Sequence, residues 1–167
     1  MLHFYEGIGD TTQYFMKAIA FYERYYMSIN ADSIKRIDSK TIDSLERTAK
    51  RDTVRNSTGF TITSSTQHRP IAQYYTWELK EAATKFYNKT ENPHLLSIAA
   101  NWASRGAQFY KTPEVLEIHS RILYKIEKKQ QAVKILDEAI ALKKELGFPV
   151  QSLENVRIKM KSGSKLD

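Results

Sequence analysis

Cysteine is missing from this sequence of 167 residues, and glycine (6) and proline (4) are scarce. Without cysteine the chain can form no disulfide bond, no redox pair, no thiol nucleophile and no cysteine-ligated zinc site. The shortage of glycine and proline argues against a fold dominated by tight turns and long loops. No stretch approaches the roughly 20 continuous apolar residues that a transmembrane helix needs, so we expect no membrane partner.

The motifs of common catalytic and cofactor sites are also missing. The sequence contains no Gly-x-Gly-x-x-Gly, no P-loop and no Gly-x-Ser-x-Gly. Its four histidines never stand three or four positions apart, so they offer no helical metal site. Paired carboxylates such as Glu78/Glu81 and Glu114/Glu117 are common on solvated helix faces. We therefore predict a protein that is not an enzyme, with no catalytic residue, no metal and no cofactor.

The charge is basic but mixed. Lysine and arginine number 26 against 19 acidic residues, which gives a net charge of +7. The two signs are mostly interspersed, which favours solvated helix faces over a nucleic-acid footprint. The segments KRIDSK, RTAKRDTVR and VRIKMK nevertheless motivate an alternative hypothesis, a basic helical nucleic-acid-binding protein. The opening residues MLHFYEGIGDTTQYF do not resemble a secretory signal, so we expect a cytoplasmic protein, or a periplasmic one if the chain is part of an exported protein.

Apolar residues recur at three- and four-residue steps along most of the chain, which predicts an all-α fold. We predict an N-terminal helical pair over 1–51, a Ser/Thr-rich loop over 52–69, two helical hairpins with a C-terminal capping helix over 70–162, and a frayed tail over 163–167. Asn92-Pro93 and Thr112-Pro113 each combine a capping residue with a proline in the first turn, and mark two helix starts. In the N-terminal pair we predict caps at Thr11 or Thr12 and at Asp32, and a second apolar stripe formed by Ile34, Ile37, Ile42, Leu45 and Ala49.

An internal repeat appears when the chain is shifted by 37 residues, because large and small residues then alternate alike in both copies. Two antiparallel helices joined by a short turn must stack on a neighbour to bury their faces. The spacing resembles the tetratricopeptide repeat (TPR), although generic stacking of α-hairpins stays an alternative. Glu127 and Thr90 stand where the usual turn glycine would be. The matching positions are Leu79, Ala82, Ala83, Phe86, Leu95, Ala99 and Trp102 in one unit, and Leu116, His119, Ser120, Leu123, Ala132, Leu136 and Ala139 in the other.

A second resemblance covers residues 10–148. It lies in the segment Trp102–Arg105, which is followed by a TPR-like hairpin ending in AIALKK, and in the earlier segment YERYYMSINADSIK. In these segments the sequence resembles the C-terminal helical extension of bacterial thioredoxin-like proteins. Those proteins carry a thioredoxin domain upstream, which this sequence lacks. The resemblance therefore implies a docking or partner-binding role and transfers no catalytic residue.

The first helix of each TPR unit lines the concave face of the array, so the resemblance also places a candidate peptide site. We expect a protein or peptide partner, with three cations, Lys80, Arg121 and Lys125, holding its anionic groups. Because TPR-like arrays need about three repeats, two hairpins also favour a homodimer. The predicted partner-binding residues are Trp77, Lys80, Tyr87, Asn88, Glu117, Arg121, Tyr124 and Lys125.

Overall fold

A computed structural model describes residues 10–49 and 71–166, and the described residues are helical with no strand. The all-α prediction is therefore confirmed for this part of the chain, and the predicted loop over 52–69 lies outside it. A π-helical turn, Glu23–Met27, continues the first helix. The helices are α1 (Thr11–Tyr22), α2 (Ala31–Ala49), α3 (Ile71–Lys89), α4 (Pro93–Phe109), α5 (Pro113–Lys125), α6 (Lys129–Glu145) and α7 (Gln151–Ser162).

The two Pro-containing helix starts agree with prediction. The Asn92 side chain accepts the N–H of His94 at 2.9 Å, and the Thr112 hydroxyl accepts the N–H of Val115 at 3.3 Å. Both capping residues have an extended backbone, and proline follows each at the first helical position.

The two N-terminal caps were predicted wrongly, because in both cases the helix begins earlier than expected. Asp10 caps α1 by accepting a backbone N–H at 3.0 Å, whereas Thr11 and Thr12 are already helical. Asn30 accepts the backbone N–H three residues on at 3.0 Å, and Asp32 lies inside the first turn of α2. An N-cap keeps a non-helical backbone, so the residue just before the first turn takes the role.

Helices α3 and α4 pack against each other as an antiparallel pair, and α5 packs in the same way on α6. The Thr76 hydroxyl, near the start of α3, donates to the Gly106 carbonyl near the end of α4 at 2.7 Å. The Ser120 hydroxyl on α5 donates to the Ala132 carbonyl on α6 at 2.9 Å. Helix α4 also packs on α5, α3 on α5, and α6 on α7. The five helices of residues 71–166 therefore pack in chain order: α3 and α4 both pack on α5, and α6 packs on α7.

The positions matched by the 37-residue shift lie almost entirely in the core. Twelve of the fourteen are buried, and the other two, Leu95 and His119, are half-buried. A close crossing lies at Gly106, where an added Cβ would lie 3.2 Å from Val115 Cγ2 and 3.4 Å from the Thr76 carbonyl oxygen. Small residues thus allow three helices to approach here, which is the packing reason for alternating large and small side chains.

Aromatic residues attach α1 to the α3–α4 pair. Tyr14 packs against Phe86 with ring centroids 6.3 Å apart, and Tyr22 packs against Trp102 at 5.0 Å. The Trp102 indole N–H donates to Glu23 at 3.0 Å, which satisfies the polar atom of a fully buried ring. The N-terminal helices therefore pack mainly on α3 and α4.

The predicted apolar stripe of α2 is mostly wrong. Ile34 is buried, but Ile37, Ile42 and Leu45 are exposed, and Ala49 lies where side chains are not described. Among the α2 residues whose side chains are described, the other buried one is Asp38. Its carboxylate accepts the first backbone N–H groups of α3, from Ile71 at 2.7 Å and from Ala72 at 2.8 Å. A side chain of α2 therefore caps α3, which fixes where α3 begins relative to the N-terminal helices.

Candidate functional site

A groove runs between α3 and α5, which lie side by side. It contains two cavities, one of about 470 Å³ at the C-terminal ends of the helices and one of about 350 Å³ further along them, here called cavity A and cavity B. Tyr87, Asn88 and Arg121 line both cavities, so the two are adjacent and share a wall. No residue of α1 or α2 lines either one, and the described N-terminal helices leave the groove uncovered.

Seven of the eight predicted partner-binding residues line this groove. Trp77 does not: its side chain is 53% exposed and borders neither cavity. On α3 the lining of cavity B begins at Lys80, three residues after Trp77, so Trp77 lies outside the lining of the groove. The residues that the structure brings together are Lys80, Tyr87, Asn88, Glu117, Arg121, Tyr124 and Lys125.

Lys125 is already occupied by the protein itself. Its ammonium group donates to the Tyr87 carbonyl at 2.8 Å and to the Thr90 carbonyl at 3.1 Å, and it lies 2.8 Å from a Glu91 carboxylate oxygen. It also lies 4.8 Å from the centroid of the Tyr87 ring. An ammonium has three donors, and these contacts use all of them. Lys125 therefore closes the C-terminus of α3, and a ligand's anionic group would have to compete with these contacts for it.

Arg121 lies at the centre of the groove and has donors to spare. Its Nε and Nη2 atoms both lie 2.9 Å from one carboxylate oxygen of Glu117, one turn earlier on α5. A guanidinium carries five N–H donors in a planar fork, so the pair with Glu117 orients the group without exhausting it. Lys80, the third predicted cation, is paired with Glu81 at 2.6 Å. Arg121 is thus the cation best placed to meet a ligand in both cavities.

The residues that follow α7 form one wall of cavity A, which we did not predict. The ring of Tyr124 is buried, but its hydroxyl reaches the Ser164 carbonyl and donates to it at 2.9 Å. Leu166 is half-buried against the core, and residues 163–166 all border the cavity. The polar sequence SGSK suggested a frayed tail, and Leu166 was the one apolar signal of an anchored segment.

The groove offers non-covalent contacts. Aromatic rings, an amide and charges of both signs line it, and Lys129 pairs with Glu127 at 3.0 Å on its rim. The hydrogen bond that Lys129 donates to Glu127 raises the pKa of Lys129, so this lysine stays charged. Across residues 10–49 and 71–166, no cluster of three or more His, Asp or Glu side chains is arranged to hold a metal ion. None of the helices in these ranges is long and apolar enough to cross a membrane.

The basic segments behind the nucleic-acid hypothesis are divided among separate elements. KRIDSK lies on α2, where it includes the buried carboxylate of Asp38, and RTAKRDTVR extends beyond the described residues. VRIKMK lies on α7, where Arg157 pairs with Asp137 of α6 at 3.2 Å. Neither described segment borders the α3–α5 groove.

Comparison of the chain with models of protein families, with curated proteins and with solved structures found no match. The functional argument therefore depends on the residues and their geometry.

Proposed function

We propose that this protein is a non-enzymatic scaffold, a short TPR-like array that binds a protein or peptide partner in the α3–α5 groove. The observation that carries the proposal is the convergence of seven predicted residues on two adjacent cavities. These residues come from two helices that the 37-residue shift relates to each other. Rings, an oriented guanidinium and an exposed amide in one groove suit an extended peptide, whose main chain and side chains need both polar and apolar contacts.

The packing supports the TPR-like part of the proposal. Residues at the motif's small positions, such as Ala83, Ala132 and Ala139, are fully buried between helices. Helix α3 contacts α5, and α4 contacts α5, which is the neighbour pattern that stacked hairpins require. Glu127 has φ = 62°, the left-handed conformation that a turn glycine adopts. The backbone at this turn therefore has the conformation that the motif expects, and only the residue type, glutamate in place of glycine, differs.

The kinship with thioredoxin-like proteins belongs to the same proposal. It favours a docking role, since the resemblance lies in helix-packing residues such as Trp102 and Arg105. The contacts of these two residues, with Glu23 and with the Ile29 carbonyl, hold the N-terminal helices and take no part in the groove. The resemblance therefore bears on the scaffold, and the groove is argued from its own geometry.

A selection for peptide ligands tests the binding function. A phage-displayed library of random peptides is panned on the immobilised protein, and selected peptides are titrated against Arg121→Ala and Asn88→Ala. We expect affinity to fall about tenfold or more in both variants, because each removes a polar group from the shared wall of the cavities. Arg157→Ala is the matched control, since it also removes an ion-paired arginine but lies outside the groove.

Circular dichroism establishes that all variants remain folded. Peptides that bind all variants equally would show that the groove is not the binding surface. Failure to select any binder, alongside binding of single- or double-stranded oligonucleotides at low salt that falls steeply as salt is added, would favour the nucleic-acid alternative.

A further inference from the structure

The segment that follows α7 meets the groove through main chain and one aliphatic side chain. Gly163, with φ = 75°, ends α7, and backbone bonds from Gly163 to Met160 (3.3 Å) and from Ser164 to Lys159 (3.0 Å) complete the turn. The chain then leaves α7 toward α5. The Ser164 carbonyl accepts the Tyr124 hydroxyl at 2.9 Å, and Leu166 packs two residues later.

These contacts are of the kind that an extended peptide makes with a receptor. The hydrogen bond goes to a main-chain carbonyl, so it does not depend on the side chain at that position. The buried ring of Tyr124 holds its hydroxyl in place at the edge of the cavity. The segment thus contacts the rest of the protein through one main-chain carbonyl and, two residues later, one aliphatic side chain.

The segment is also held by few contacts. Gly163, Ser164 and Lys165 are exposed, and Leu166 is only half-buried. Among the described residues, its hold on the groove rests on one hydrogen bond and one partly buried side chain, which a competing peptide can replace. The remaining volume of cavity A, bordered by Tyr87 and Arg121, extends the same surface toward cavity B.

We propose that residues 164–166 occupy, within the same molecule, a subsite for an extended peptide. A partner's main-chain carbonyl takes the place of the Ser164 carbonyl on the Tyr124 hydroxyl, and its aliphatic side chain two residues later takes the place of Leu166. The partner must therefore displace this segment to bind. The inference rests on the proposed peptide-binding function and specifies the chemistry of its ligand at one end of the groove.

Release of the segment by a point substitution tests the inference. Leu166→Ser weakens its anchor, and Lys165→Ser is the matched control at the exposed neighbour. The probe is a fluorescent synthetic peptide with the sequence of residues 162–167, Ser-Gly-Ser-Lys-Leu-Asp, together with a version in which serine replaces leucine. We expect the first peptide to bind Leu166→Ser about tenfold more tightly than the unchanged chain or Lys165→Ser, because occupancy by the segment lowers apparent affinity. The serine version should bind all three proteins weakly.

Tyr124→Phe, added to Leu166→Ser, provides the second readout. It keeps the buried ring and removes only the hydroxyl, and peptide affinity should fall about five- to tenfold. In two-dimensional NMR spectra, the peptide should shift the backbone signals of Tyr87, Asn88 and Tyr124 in the Leu166→Ser protein.

The outcomes separate this inference from the function on which it rests. Equal affinity of the peptide for the unchanged chain and Leu166→Ser, or no effect of Tyr124→Phe, would overturn the inference. If the tail peptide fails to bind while library-selected peptides bind at Arg121, the inference fails and the proposed function stands. If neither kind of peptide binds, both fail. Sedimentation tests whether the segment belongs to the same molecule. If the peptide competes with the segment only in a species with the mass of two chains, the segment comes from a second copy, and its role within one molecule is overturned.

Discussion

Replacing Glu127 by glycine should make the protein more stable. Glu127 connects α5 to α6, and among the described residues it is the one with a positive φ that is not glycine. Its φ of 62° brings the Cβ of an L-residue close to the following carbonyl oxygen, at a cost of about 1–2 kcal/mol. The backbone bonds from Glu127 to Tyr124 (3.1 Å) and from Lys128 to Leu123 (2.9 Å) require this conformation, because they close the end of α5.

Two effects oppose the gain from Glu127→Gly. Glycine loses more backbone freedom on folding than other residues, by roughly 0.5–1 kcal/mol. The ion pair of Glu127 with Lys129 disappears as well, but the Glu127 side chain is 76% exposed and solvent screens such a pair. The net increase in the free energy of unfolding is therefore about 0.5–1 kcal/mol, and the melting temperature should rise by about 1–4 °C for a chain of this size.

Urea unfolding followed by circular dichroism measures the change, with three comparison proteins. Glu127→Gln removes the charge but keeps the strain, and so isolates the ion pair. Glu127→Asn should fall between Gln and Gly, because asparagine tolerates the left-handed region better than most residues. Lys134→Gly introduces glycine at an exposed position inside α6 and should lower stability by about 1 kcal/mol. A Glu127→Gly protein no more stable than Glu127→Gln would refute the claim that this turn is strained.

Three further predictions concern the contacts that hold the helices together. Asp38→Ala should lower the free energy of unfolding by about 2 kcal/mol in urea titrations, because the first N–H groups of α3 lose their buried acceptor, whereas Asp43→Ala on the exposed face of α2 should change little. Lys125→Met should cost about 1–2 kcal/mol in the same assay through the carbonyls that end α3, more than Lys129→Met at an exposed lysine nearby. Burial lowers the pKa of His119 below its ordinary 6.5, so its contribution to stability is present above pH 6.5 and is lost as the pH falls below that value; unfolding measured from pH 7.5 to pH 5 should depend less on pH in His119→Gln.

The sequence was informative wherever local patterns decide the structure. Helical periodicity predicted the five helices of residues 71–166, and Asn92-Pro93 and Thr112-Pro113 marked two of their starts. The 37-residue shift identified core positions, because small residues are needed where helices cross closely and large residues fill the spaces between crossings. These signals depend on neighbours three or four residues away, and such neighbours are visible without a structure.

Contacts between distant residues were not visible in the same way. Asp38 stands four residues from both Ile34 and Ile42, on the side of the helix that the period predicts to be apolar. The helical period alone does not explain why an acidic residue is found at that position. It is buried because the N-terminus of α3, more than 30 residues later, supplies two donors. The Ser164 carbonyl accepts a hydrogen bond from Tyr124, 40 residues earlier, and no local pattern predicts that partner. In both cases a polar group is satisfied through tertiary structure, which periodicity does not encode.

Lys125 and Arg121 show why position on the groove-facing side of a helix is not enough to assign a binding role. Both stand on one face of α5, four residues apart, and the pattern of charges in the sequence gives no reason to distinguish them. The difference comes from α3, which ends beside Lys125 and leaves the Tyr87 and Thr90 carbonyls without helical partners. Lys125 supplies those partners, whereas Arg121 pairs with Glu117 of its own helix. Reversing the charge of Lys125 would therefore damage the scaffold, while a change at Arg121 leaves the helix ends intact and reports on the ligand.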